Sequence, residues 1–190
     1  MKKCTLALGC FWKPEENFKN KDGIIETEVG YAGGKNPIIT YKEVCGGDTG
    51  HAEVVRITFD EKIISFRKIL DLFFKMHDPT QKDMQFPDVG TQYRSEIFYE
   101  SDEQKKEAEE VLNEKNKEFS GKIQTNISKV KNYCKAEEYH QKYIEKNNLC
   151  FYDAFKRGNL WKGFEVCSLR AFIVNGSGFY FYEVCKNFLS

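Results

Sequence analysis

Two hydrophobic periods alternate along this chain, and their order restricts the fold more than any other feature. Residues 51–59 read as a half-buried strand, with Val55, Ile57 and Phe59 recurring on one side. Residues 65–76 then set Phe66, Ile69, Leu70, Phe73 and Phe74 at helical spacing. The same switch recurs. Residues 4–9 form a short apolar run ending at Gly9, read as a buried strand. Residues 11–21 follow as a helix with Pro14 in its first turn. Residues 24–31 and 96–99 read as strands, and residues 123–130 alternate again. Ser101-Asp102-Glu103-Gln104 has the form of a capping box and opens a charged helix to about Phe119. Residues 136–147 read as a last helix. Loops are expected from Gly33 to Thr40 and over residues 78–90, which hold two prolines. Strands alternating with helices, without an internal repeat, predict an α/β layer structure around one mixed sheet.

The 190 residues suit one domain plus an extension, and 41% apolar residues suffice for a core. Lys plus Arg and Asp plus Glu balance at 29 each. Nucleic acid and anionic membrane both favour a basic surplus, so neither is expected as a partner. No apolar run approaches the roughly 20 residues that cross a bilayer. Residues 151–190 differ from the rest, with 11 of the 28 aromatic residues. Within them, residues 171–174 and 179–182 read as a hairpin around an Asn175-Gly176 turn. Such a segment must pack on the core or on a partner.

Seven cysteines stand singly at 4, 10, 45, 134, 150, 167 and 185, with no C-x-x-C pair. An odd, irregular set is a poor disulfide or zinc framework. It fits a reducing compartment with one or two working thiols, so a cytoplasmic location is expected. The start of the chain imitates a lipoprotein signal ahead of Cys10. The apolar stretch 4–9 is shorter than the ~7–15 residues of a signal h-region, however. Asn126-Ile127-Ser128 and Asn175-Gly176-Ser177 match a glycosylation pattern that has no meaning in the cytoplasm.

Three segments concentrate reactive residues. Gly9-Cys10-Phe11-Trp12 puts a cysteine just before a helix, where the helix dipole and free N–H groups favour a thiolate. A buried strand-end cysteine is the plain alternative. The second segment runs from Tyr41 through a Gly-rich turn to His51-Ala52-Glu53. Glu53 falls on the face of Val55, Ile57 and Phe59, where desolvation would keep a carboxyl protonated and able to act as an acid. A rim carboxylate paired with a cation competes with that reading. The third runs from His77-Asp78-Pro79 to Asp88-Val89-Gly90-Thr91-Gln92-Tyr93-Arg94-Ser95, a long loop leading into a strand.

Gly-Cys-Phe-Trp, Thr-Gly-His-Ala-Glu, Asp-x-Gly-Thr-Gln-Tyr-Arg-Ser and a late Ala-Glu-Glu-Tyr-His-Gln occur here in that order over about residues 4–150. Together they resemble the A-type peptide methionine sulfoxide reductases. The resemblance implies that Cys10 attacks the sulfoxide sulfur and becomes a sulfenic acid. It implies that Phe11 and Trp12 wall a pocket for the substrate methyl group. Glu53 would protonate the sulfoxide oxygen, Tyr41 and Tyr93 would hydrogen-bond it, and Asp88 would hold the substrate backbone. The substrate would be the S epimer of methionine sulfoxide, free or in proteins. A second thiol would form a disulfide with Cys10, and thioredoxin would reduce it. No bound cofactor or metal is implied.

Three departures bear on the site. Lys13 stands where a small residue is usual, and Ile38-Ile39 looks inserted before Tyr41. Cys150 sits near the usual recycling position without its Gly-rich surroundings, and Cys167 and Cys185 compete for the role. Cys4, Cys45 and Cys134 are read as packing residues, and His51, His77 and His140 as structural hydrogen-bonding residues. The expected molecule is a monomer. Its fold is an α/β (α+β) two-layer sandwich with a mixed central sheet and a ferredoxin-like core, residues 1–150. An aromatic C-terminal extension, residues 151–190, packs on it. Two other functions compete: a cysteine hydrolase using Cys10 with His51 or His140, and a non-enzymatic thiol redox sensor.

Overall fold

A computed structural model describes residues 1–147. The aromatic extension, its Asn175-Gly176 turn, and Cys150, Cys167 and Cys185 lie outside the described residues. The elements are β1 (Lys2–Leu8), α1 (Trp12–Lys19), β2 (Ile24–Ala32), α2 (Tyr41–Cys45), β3 (Ala52–Phe59), α3 (Phe66–Met76), β4 (Met84–Gln85), β5 (Asp88–Val89), β6 (Ser95–Tyr99), α4 (Asp102–Glu118), β7 (Asn126–Lys129), β8 (Cys134–Lys135) and α5 (Tyr143–Lys146). A 3-10 turn, Thr91–Tyr93, joins β5 to β6.

Six strands form one sheet in the order β7-β6-β1-β3-β2-β8, and β4 pairs with β5 apart from it. Neighbours in the sheet are antiparallel except β6 and β7, so the sheet is mixed. The chain leaves β1 through α1, enters β2 two places away, and returns along β3 between them. From β3 it crosses through α3 to β6 on the far side of β1.

The strand alternation decides which face is thick. Leu6, Leu8, Val29, Tyr31, Val55, Ile57 and Phe59 join Phe18, Ile69, Leu70, Phe73, Ala108 and Val111 from the helices in one cluster. The helices therefore cover one face of the sheet. The other face carries a smaller cluster of Ala7, Ala32, Ala52, Val54 and Phe98. There the Arg56 guanidinium lies 3.7 Å from the centre of the Tyr133 ring. Ser65 caps α3 by accepting from the Lys68 N–H, and Ser101 caps α4 by accepting from the Gln104 N–H. The Gln104 side chain also donates to the Lys3 carbonyl at 2.6 Å, which ties α4 to β1.

Three expectations need correction. Residues 136–147 are not one helix; only Tyr143–Lys146 is helical. Gln141 turns inward instead and bonds the backbone of β2. Its Oε1 accepts from the Val29 N–H at 2.9 Å, and its Nε2 donates to the Val29 and Ala136 carbonyls at 2.8 Å each. Lys142 then takes a left-handed conformation, φ 51°, which breaks any helix at that point. Residues 78–90 are not featureless either, since β4 and β5 form a short hairpin there. Finally, Cys45 is exposed at the end of α2 and is no packing residue. Cys4 is fully buried, and burial pushes its thiol far above the ordinary range.

Candidate active site

The register of β1 against β3 builds the site. Leu6 pairs with Val55, so Glu53 comes level with the end of β1, where the chain turns into Cys10. The turn is made by Gly9 at φ +88°, and a Cβ there would stand 2.7 Å from the Cβ of Gln85. Only glycine fits a left-handed position with that clearance. Gln85, in β4, thereby brings the hairpin against the start of the site.

Cys10 is half-buried, and the next residue, Phe11, is the N-cap of α1 and almost fully buried. The peptide N–H that joins the two donates to Glu53 Oε2 at 3.1 Å. Glu53 is itself only 1% exposed. The carboxyl therefore contacts the backbone of the cysteine turn from inside the protein.

Aromatic rings close the rest of the site. Phe11 lies 5.9 Å from Tyr31 and 5.2 Å from His140, between ring centres. Trp12 donates from Nε1 to His140 Nδ1 at 3.1 Å and stacks on Tyr143 at 3.6 Å, nearly parallel. Tyr41, at the start of α2, reaches the same imidazole with ring centres 4.5 Å apart. Glu137 ties these parts together. It accepts from the Tyr41 N–H at 2.9 Å and from the Tyr31 hydroxyl at 3.0 Å. Burial alone would raise the Glu137 carboxyl, but these donors outweigh it and hold the group below its usual range.

Cys10, Phe11, Trp12 and Glu53 thus meet at one junction, and Tyr41 joins through His140. Tyr93 is fully buried in the 3-10 turn that packs on β3, and Asp88 is half-buried on the hairpin. His51 and His77 serve the scaffold. His51 Nε2 lies 2.9 Å from the Asn36 carbonyl. His77 bridges the Phe73 carbonyl and the Ser95 hydroxyl, and burial lowers it to about 4. Sequence reasoning missed Tyr31, Glu137, Tyr143 and the place of His140 in the wall. The signal available was the density of Glu, Tyr and His in residues 137–143, obscured there by a helical reading. Among the described residues, no group of three or more His, Cys, Asp or Glu side chains could hold a metal. Among them, no helix is long and apolar enough to cross a membrane.

Fold and site define a class: an α/β protein that offers a cysteine at a strand-to-helix turn, beside a cluster of rings and a buried carboxyl. A family model described as peptide methionine sulfoxide reductase matches residues 2–165, past residue 150. The peptide methionine sulfoxide reductase MsrA of Pelagibacter ubique (strain HTCC1062) is 58% identical over 146 residues, which are 77% of this chain and 99% of that protein. Among solved structures, Mxr1 from Saccharomyces cerevisiae in reduced form is similar at a TM-score of 0.74 and 42% identity, covering 77% of this chain and 86% of that one. Mxr1 in complex with Trx2 is similar at 0.55 and 30% identity, covering 75% and 84%. The chain belongs to the peptide methionine sulfoxide reductase family, in its A type. It is a reductase of methionine S-sulfoxide, and the hydrolase and sensor readings are set aside.

Proposed function

We propose that Cys10 is the nucleophile and Glu53 the acid of this reduction. The Cys10 sulfur attacks the sulfoxide sulfur while Glu53 delivers a proton to the oxygen, which is a poor leaving group until protonated. The sulfoxide sulfur gains two electrons and leaves as methionine. The protonated oxygen passes to the Cys10 sulfur as the substrate S–O bond and the transient S–S bond break, so the Cys10 sulfur loses two electrons and becomes a sulfenic acid. Tyr41 and Tyr93 hydrogen-bond that oxygen, Phe11 and Trp12 hold the methyl group, and Asp88 holds the substrate backbone. Cys150 then attacks the sulfenic sulfur, water leaves, and a disulfide forms. The complex of Mxr1 with Trx2 supports thioredoxin as the reductant of that disulfide. Electrons come from thiols at each step, so the scheme calls for no bound cofactor.

The observation that carries this reading is the hydrogen bond from the Phe11 N–H to Glu53, which anchors a buried carboxyl to the cysteine turn. Glu53→Gln keeps an acceptor for that N–H and removes the acid. It should lower the rate of methionine release in a single turnover by about 10²–10⁴-fold. Cys10→Ser should abolish release. A Glu53→Gln enzyme altered only in KM would make Glu53 a binding residue. Residual turnover in Cys10→Ser would remove the nucleophile assignment.

The same proposal extends to the whole chain. The interleaved β1–α1–β2 and β3–α3–β6 units are read as a ferredoxin-like core, residues 1–150, with the aromatic extension 151–190 packed on it. The enzyme is read as a monomer in the cytoplasm, acting on sulfoxides free or in proteins, with neither nucleic acid nor membrane as partner. The odd number and irregular spacing of its cysteines favour that compartment.

A further inference from the structure

One buried carboxyl has no part in the chemistry above. Glu15 lies on α1, one turn beyond Phe11, whose carbonyl accepts from the Glu15 N–H at 3.0 Å. Its side chain is 1% exposed. Glu15 Oε2 accepts from the backbone N–H of Lys142 at 2.8 Å, and Oε1 has no hydrogen-bond partner among the described residues. Lys142 is a left-handed residue, so its amide would point into the protein without a helical partner. It lies between two residues that touch Trp12. His140 accepts from the indole N–H, and Tyr143 stacks on the indole face. Gln141 fixes the same turn to β2.

We propose that Glu15 is a positioning residue for the substrate pocket: its carboxyl oxygen pins the 140–143 turn to α1 and so sets the Trp12 wall. This rests on the reading of Trp12 as the wall that holds the substrate methyl group. Glu15 touches no reacting atom. Its effect passes through the Lys142 amide to Tyr143 and from there to the indole. Substrate fit should therefore suffer more than the sulfur chemistry.

Glu15→Ala should speed hydrogen exchange at the Lys142 amide by at least about tenfold, while Glu15→Gln, which keeps an acceptor, should hold it near wild type. With a methionine sulfoxide peptide, Glu15→Ala should raise KM about tenfold and leave kcat within about twofold, and Glu15→Gln should rescue KM. Tyr143→Ala should raise KM with Glu15 in place, and the double variant should be no worse than the more severe single one. Unchanged exchange in Glu15→Ala overturns the clamp. Faster exchange with unchanged KM overturns its role in the pocket. If Glu15→Ala does not fold, Tyr143→Ala with wild-type KM overturns the proposal on its own. Failure of the pocket assignment itself has a separate mark: Trp12→Ala would leave KM unchanged while the Lys142 exchange still depended on Glu15.

Discussion

At the scale of single residues, the buried Glu53 and Glu15 and the half-buried Glu137 share this half of the molecule and differ in what surrounds them. Glu137 is held ionised by two donors. Glu53 accepts from the cysteine turn. At Glu15 desolvation wins, and burial raises its carboxyl from 4.5 to about 7 against the opposing pull of the Lys142 N–H. A group whose folded value lies above its unfolded one contributes stability that is fully present below the unfolded value. That stability is lost as pH rises through the folded value. Between about pH 4.5 and 7 the native state keeps a proton on Glu15 that the unfolded chain releases. Stability should therefore fall across that window, by roughly 3 kcal/mol in total. Glu15→Gln should flatten the slope. Denaturant midpoints taken at half-unit steps of pH would show it, and an unchanged slope in the variant would place the titration elsewhere.

Among the elements, the turn that ends in α5 matters more than its length suggests. Gln141 replaces a strand neighbour, meeting both the N–H and the carbonyl of Val29. Gln141→Ala would take the acceptor from the Val29 N–H, while the Val29 carbonyl keeps the Ala136 N–H, and should cost roughly 2–4 kcal/mol, for three hydrogen bonds at about 0.5–1.5 each. A chemical unfolding curve of that variant within 1 kcal/mol of wild type would mean water or a neighbour takes over. The same turn marks where sequence reading stopped working. β2, β3 and α3 were legible because a buried face imposes one period along each of them, as Val55, Ile57 and Phe59 do on β3, and β1 was legible as a short apolar run. That period also put Glu53 on the inner face, whereas Cys10, Phe11 and Trp12 were singled out by the motif that carries the family resemblance. Residues 136–142 carry no such period. Their conformation is set by side chains bonding distant backbone, Gln141 to β2 and Glu15 to Lys142, and such contacts leave no spacing to read. The exposed end of α2, with Cys45, was missed for the same reason: five residues are too few to show a helical face.

For the molecule as a whole, catalysis has to end with Cys10 reduced again, and this tests the division between residues 1–150 and the extension. The Pelagibacter relative is matched over 99% of its length by 77% of this chain, so part of this chain has no counterpart there. If Cys150 resolves the sulfenic acid, Cys150→Ser should still release one equivalent of methionine in a single turnover. It should then stall with thioredoxin, because thioredoxin is offered no disulfide. Dithiothreitol should restore turnover, since a small thiol reaches the sulfenic acid directly. The wild-type enzyme, quenched after one turnover, should yield a Cys10–Cys150 peptide pair by mass spectrometry, which requires Cα atoms about 4.4–6.8 Å apart. A pair formed with Cys167 or Cys185 would move the resolving thiol into the extension and give that segment a catalytic duty. Normal thioredoxin-linked turnover in all three serine variants would mean that none of these thiols resolves Cys10. Thioredoxin would then attack the Cys10 sulfenic acid itself, and the extension would act only as a cover.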